Sequence, residues 1–167
     1  RNAGNTTNDK NVGSAKTILI STVFSGIDAG NYSGNNQTTT ASITPKALTI
    51  SGITAADKVY DGLTTATVST TGANAAATLQ ANGLVAGDDI SVSATGNFRN
   101  VGNTANDKNA GNSKTVSLAS LYGGVDATNY TITDQSTTTA SITPKALTIS
   151  GITAADKVYD GLTTATV

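Results

Sequence analysis

Residues 38–68 read TTTASITPKALTISGITAADKVYDGLTTATV, and residues 137–167 read the same, letter for letter, 99 positions later. Such self-similarity is a statement about architecture before any element is assigned. A looser match surrounds it: RNAGNTTNDKNVGSAKT over residues 1–17 corresponds to RNVGNTANDKNAGNSKT over 99–115, at an offset of 98. Gly26-Ile27-Asp28-Ala29-Gly30-Asn31-Tyr32 likewise matches Gly124-Val125-Asp126-Ala127-Thr128-Asn129-Tyr130. The offset changes between Tyr130 and Thr137, so one residue is inserted there. The chain therefore divides into the C-terminal half of one repeat (1–45), a complete repeat (46–144) and the N-terminal opening of the next (145–167). A period near 99 is too long for helical solenoids, β-helix coils or propeller blades, which recur every 20–50 residues or so. It is the size of a self-contained β-sandwich with its own core.

Hydrophobic alternation predicts strands over 47–53, 64–68, 89–94, 114–118, 129–133 and 138–142. Turn signals fall between them: Asp61-Gly62, Gly87-Asp88-Asp89, Gly96-Asn97, the Asn-rich run 102–112, and Gly123-Gly124. Short strands at this spacing imply an all-β fold, with tandem antiparallel β-sandwich, Ig-like repeats joined end to end. The stretch 73–84 is the only helical candidate, with room for one short helical turn.

The two prolines mark the inter-repeat joints, Thr44-Pro45-Lys46 and Thr143-Pro144-Lys145. Before Pro45 the apolar residues occupy odd positions (Ala41, Ile43); after it they occupy even ones (Leu48, Ile50). A strand leaving one core and entering the next shows this phase flip. Proline lacks an N–H and holds its predecessor extended, so it interrupts a ladder without adding a flexible hinge. Domains joined by so short a link form a stiff rod.

Composition narrows the chemistry. There is no Cys, His, Met or Trp, and all eleven acidic residues are Asp. Without Cys there is no disulfide framework and no thiolate metal site. Without His, the usual neutral-pH general base and the commonest transition-metal ligand are gone. A net charge of −1 offers no footprint for nucleic acid, and no polybasic cluster addresses anionic lipid. Apolar runs such as Ile18-Leu19-Ile20 are too short for membrane insertion. Thr is close to a fifth of the chain, and Thr with Val and Ile favours strands. The same composition fits low-complexity linker, but the ordered pattern argues against it. Arg1 is not an initiator, so the chain reads as part of a longer precursor.

The ordered motifs carry a resemblance. Lys58-Val59-Tyr60-Asp61-Gly62, followed by Leu63-Thr64-Thr65-Ala66-Thr67, is similar to the signature of the YDG repeat domain. The chain also holds Gly87-Asp88-Asp89, an Asn-Val-Gly stretch ahead of Lys114-Thr115-Val116, the Gly-x-Asp-Ala-x-Asn-Tyr turn and a closing Ile-Thr-Pro-Lys. Leu63 stands where Thr is more usual, a small departure. The resemblance implies the setting of large bacterial filamentous-haemagglutinin-like surface adhesins: extracellular, at the cell surface, with the repeats building a passenger or stalk.

Tyr60-Asp61-Gly62, repeated as Tyr159-Asp160-Gly161, reads as a tight turn. Asp accepts backbone N–H groups, Gly supplies positive φ, and Tyr packs at the sheet edge with its hydroxyl bonded; the other reading is an exposed binding tyrosine. For calcium, the candidates are Asp88 and Asp89, and the oxygen-rich loop with Asp107 (Asn103, Asn106, Asn109) together with its counterpart Asn5, Asn8, Asp9 and Asn11. Calcium takes six to eight oxygens, whereas each Asn-rich loop carries one carboxylate and a neighbouring Lys. An intramolecular isopeptide bond would need a buried Lys beside Asn or Asp and a neutral carboxyl to shuttle protons; Lys58 and Lys114 read as solvated strand-end residues. Asp88 and Asp89 would point to opposite faces of a strand, which disfavours glycosidase chemistry. No triad or phosphate loop exists, so the chain reads as non-enzymatic, with no catalytic residue and no cofactor required. Asn5, Asn31, Asn36 and Asn129 begin Asn-x-Ser/Thr triplets, which arise readily by chance here.

Three functions remain: a structural stalk or spacer, which is favoured; a self-assembling extracellular or biofilm filament; and a module that itself binds glycan or matrix. The partners expected are neighbouring repeats of the same chain, other copies in a filament, or a host or matrix ligand.

Overall fold

The computed structural model describes Arg1 and residues 7–167, and the described chain is mostly β. The Asn5 positions named above lie outside these residues. An N-terminal hairpin pairs β1 (Gly13–Ile20) with β2 (Gln37–Ile43) in antiparallel register. Two residues later β3 (Lys46–Thr49) opens the central body. There follow β4 (Thr54–Ala55), β5 (Lys58–Val59), β6 (Thr65–Ala66), β7 (Val68–Ser69), a short helix α1 (Ala76–Ala81), β8 (Ser91–Phe98), β9 (Gly111–Gly123), β10 (Tyr130–Thr133) and β11 (Thr137–Thr143).

The main sheet has five strands in the order β5-β11-β9-β8-β6. Two pairings differ from the antiparallel expectation: within this sheet β11 pairs with β5 in parallel, and beside it β10 pairs with β3 in parallel, while β4–β7 forms a separate antiparallel ladder. Parallel pairing needs a long crossover, and here the whole repeat supplies it: its first strands return to lie beside its last. Strands read as single runs over 47–53 and 64–68 are each broken into shorter pieces. Gly52, at φ +88°, turns the chain between β3 and β4.

Gly96-Asn97 is not a turn but lies inside β8, paired to β9 and β6. A Cβ on Gly96 would come within 2.7 Å of Val68 Cγ2 and 2.8 Å of Val116 Cγ1. Glycine is there because two branched side chains close over the strand, not because the backbone bends. The helical expectation over 73–84 is met by α1, which has Leu79 buried.

One core holds the body together. Leu48, Ile50 and Ile53 from the opening segments, Leu79 and Leu84 near α1, and Val92, Phe98, Val116, Leu118, Ala140 and Ile142 from the main sheet are all buried. After Pro45, Leu48 and Ile50 enter this core. Before it, Ile43 belongs to the N-terminal hairpin and is 40 % exposed. The even-phase residues thus face a core that the odd-phase residue of β2 does not share.

Residues 145–167 repeat 46–68 yet form no strand, and Leu147, Ile149 and Ile152 stay exposed. In the central body these positions are held by β10 and β11, more than eighty residues further along. The identical sequence without those partners forms no strand here, as expected where cross-strand neighbours rather than intrinsic preference decide strand formation.

Candidate functional site

A cluster of charged and polar side chains lies where the N-terminal hairpin meets the central body. Lys10, on the loop leading into β1, places Nζ 2.5 Å from Asp88 Oδ1 and 3.0 Å from Asp126 Oδ1. Both carboxylates are nearly enclosed (10 % and 9 % exposed), whereas Lys10 is 65 % exposed and approaches from outside. Tyr130 completes the seat: its hydroxyl donates to Asp88 Oδ2 at 2.7 Å and accepts from the Val85 N–H at 3.0 Å. Asn129 Oδ1 accepts the Val12 N–H at 2.9 Å, and its Nδ2 donates to Asn11 Oδ1 at 3.0 Å.

Two sequence motifs build this seat. Gly87 (φ +92°) turns the chain so that Asp88 reaches the junction. The Gly-x-Asp-Ala-x-Asn-Tyr segment forms a single 3-10 turn, Ala127–Asn129, which carries Asp126, Asn129 and Tyr130 to the same side. Asp126 locks the two motifs together: its Oδ2 accepts the Asp89 N–H at 2.9 Å, and its own N–H donates to the Asp89 carbonyl at 3.2 Å.

The electrostatics follow from these contacts. Lys10 and then Tyr130 hold the Asp88 carboxyl below its ordinary value; the Asp89 N–H and then Lys10 do the same for Asp126. The two carboxylates in turn raise Lys10, while desolvation, aided by Asp88, raises Tyr130. A carboxyl lowered on docking contributes above its undocked value and is lost as pH falls through the docked one. A lysine raised on docking contributes below its undocked value and is lost as pH rises through the docked one. Docking is therefore expected to be at full strength between the ordinary values of 3.8 and 10.5 and to weaken as pH falls below 3.8. The protection factor of the Val12 amide, measured by hydrogen exchange, checks this. Lys10→Ala should lower that protection across the window and leave the central body's melting temperature unchanged, and high salt should act in the same direction. Protection indifferent to pH, salt and Lys10 would remove the ion pairs from the account.

Three of the calcium candidates, Asp88, Asp107 and Asp9, are lysine partners. Asp88 serves Lys10 and Tyr130, as described. Asp107 Oδ2 lies 2.6 Å from Lys114 Nζ and its Oδ1 accepts the Asn109 N–H; Asp9 and Lys16 repeat the arrangement at 2.6 Å. Asp89 Oδ2 accepts the Val125 N–H at 3.3 Å, in the turn before β8 rather than on a strand. Among the described residues no three acidic side chains gather into a metal cluster. Lys114 and Lys58 are not solvated strand ends: their side chains are 11 % and 18 % exposed. Each is folded back over the chain onto an Asp close in sequence.

The Tyr60-Asp61-Gly62 turn lies elsewhere, at the edge of the main sheet. Asp61 Oδ1 accepts the Leu63 N–H (2.9 Å) and Lys58 Nζ (2.8 Å), with Gly62 at φ +83°. Lys58 Nζ also reaches the carbonyls of Leu63 and Thr65, and sits 5.5 Å above the Phe98 ring. The Tyr60 ring packs half-buried against the core. Its N–H, not its hydroxyl, makes the bond, to the Thr143 carbonyl at 2.8 Å. The second copy keeps the turn, with Lys157 on Asp160 at 2.8 Å and on the Leu162 carbonyl at 2.9 Å, the Leu162 N–H on Asp160 at 3.0 Å, and the Ala155 N–H on the Thr166 carbonyl at 3.0 Å, as Ala56 bonds Thr67 in the first.

At the joints, Thr44 and Lys46 line the hollow beside the seat, together with Ile43 and Val85. Thr143 ends β11, while Pro144 and Lys145 lie in extended chain. Lys10 was missed from the sequence; its signal was the recurrence of Asn-Asp-Lys-Asn at 8–11 and 106–109, two positions before a glycine that opens a strand.

A sequence model described as the YDG domain matches residues 44–140, more than half of the chain. No curated protein and no solved structure matches it.

Proposed function

Because the chain belongs to the YDG domain family, we propose that it is a segment of a non-catalytic stalk, a spacer of tandem repeats in a long extracellular bacterial surface protein. In this reading each repeat is an Ig-like β-sandwich, its main sheet facing the β3–β10 pair across the common core. The repeats run 1–45, 46–144 and 145–167, each following the last through a Thr-Pro link. The observation that carries it is the junction. A two-residue link, with proline at its second position, is reinforced by Lys10, Asn11 and Val12 gripping the central body. A link so short and so braced fixes the angle between neighbours, which a spacer requires and a loose string of domains lacks.

Small-angle scattering on chains of one, two and four complete repeats tests it. The maximum dimension is expected to grow linearly with repeat number. Growth as the square root would overturn stiffness. Reproducible glycan-array binding, abolished by loop substitutions, would move the function to direct recognition. Sedimentation as polymer with a regular axial repeat would move it to filament assembly.

A further inference from the structure

The loop that grips the central body has a twin. Residues 106–113 repeat the internal geometry of residues 8–15. The Asn109 N–H reaches Asp107 at 3.0 Å, as the Asn11 N–H reaches Asp9 at 2.9 Å. The Ser113 N–H reaches Ser141 Oγ at 3.2 Å, as the Ala15 N–H reaches Ser42 Oγ at 3.2 Å. Ser113 and Ala15 share a left-handed backbone, φ 47° and 49°. Each loop is thus shaped by its own hairpin, before any neighbour arrives. The twins differ in what they hold: Asn11 and Val12 bond Asn129, with no counterpart at Asn109 and Ala110 among the described residues. Lys10 holds two carboxylates, whereas Lys108 is exposed and has no ion pair or hydrogen-bond partner among the described residues.

We propose that Lys108, with Asn109, is a docking plug for the acidic seat of a following copy of this repeat, so that one set of contacts locks every joint of the array head to tail. The proposal rests on the spacer reading and names its joint. The loop of Lys108 leads into Gly111, which pairs with Ile142 just before Thr143-Pro144, as the loop of Lys10 leads into Gly13, which pairs with Ile43 just before Thr44-Pro45. The following seat is then tethered through an identical link, and a short tether raises effective concentration into a range where a few polar contacts suffice. Plug and seat lie on different surfaces and are not self-complementary. Such a heterologous contact propagates in one direction, as an open line rather than a closed pair.

The experiment uses the whole chain lengthened by a copy of residues 69–144 after Val167, which completes a following repeat. A zero-length carbodiimide couples lysine to carboxylate where they touch, and peptide mass mapping separates the Lys10 and Lys108 peptides because their flanking residues differ. The expected result is coupling within one chain of Lys10 to Asp88 or Asp126, and of Lys108 to the appended copies of those two residues. Changing the two appended carboxylates to asparagine should abolish Lys108 coupling and leave Lys10 coupling intact. Lys108 left uncoupled while Lys10 couples would overturn the plug, and an extended scattering profile for that same chain would leave the spacer standing. A compact profile with Lys108 coupled would do the reverse.

Discussion

Phe98→Ala is expected to destabilise the central repeat by about 3–5 kcal/mol, the cost of emptying a large aromatic site in a packed core. Phe98 is fully buried on β8, opposite Val116 on β9, and its N–H bonds the Thr64 carbonyl at 2.7 Å. The loss is felt twice, because Lys58 rests over the same ring while clamping the Tyr-Asp-Gly turn. Typical domains have only about 5–15 kcal/mol to lose. At roughly 4–8 °C per kcal/mol for a domain of this size, thermal unfolding followed by circular dichroism should shift by more than about 12 °C. Phe24 provides the contrast. It lies between β1 and β2 and is 53 % exposed, so Phe24→Ala should stay within about 0.5 kcal/mol. Equal shifts for the two variants would mean that the core does not lie where the buried residues place it.

How far the sequence reaches is measured by its own repetition. Residues 46–68 and 145–167 are identical, yet the first set forms β3 to β7 and the second forms no strand. What survives in both is the turn and the backbone bond that closes around it: Lys157 and Leu162 on Asp160 repeat Lys58 and Leu63 on Asp61, and Ala155 on Thr166 repeats Ala56 on Thr67. Chemistry within about a dozen residues is legible from the letters. Pairing is not, since the partners of β3 and β5 are β10 and β11, far along the chain, and they pair in parallel. The same distinction accounts for the junction. Asp88, Asp126, Asn129 and Tyr130 belong to two motifs about forty residues apart, and Lys10 lies in another repeat altogether. Each motif alone reads as an ordinary turn. Only the fold shows that they share one side and that three of the carboxylates suggested for calcium, Asp88, Asp107 and Asp9, already hold a lysine. Gly96 illustrates the converse error, since a glycine between strand residues signals a turn or a close approach with the same letter.

Gly124→Ala is expected to cost about 2–4 kcal/mol, combining a strained backbone with a clash that has no soft partner. Gly124 opens the seat-forming motif at φ +101°, and a Cβ there would lie 2.3 Å from the Asp89 carbonyl oxygen and 2.8 Å from Ile90 Cα. Backbone would have to move, and the backbone in the way is the segment that Asp126 grips from both sides. Displacing it separates Asp88 from Asp126 and takes away the pair of oxygens that Lys10 bridges. The variant should therefore lose stability and Val12 amide protection together. Gly62→Ala isolates the conformational part: at φ +83° with nothing within 4 Å of the new Cβ, it should cost about 1 kcal/mol and leave Val12 protected. Gly26, the counterpart of Gly124 in the first half-repeat, is also at positive φ (+125°) but has open space around it. With no atom within 4 Å of the new Cβ, Gly26→Ala in this chain should behave like Gly62→Ala. If all three substitutions cost the same, the demand for glycine at 124 comes from backbone angle alone and the seat plays no part in it. A cost at Gly124 well above that of the other two would tie that glycine to the close packing of the two motifs that receive Lys10.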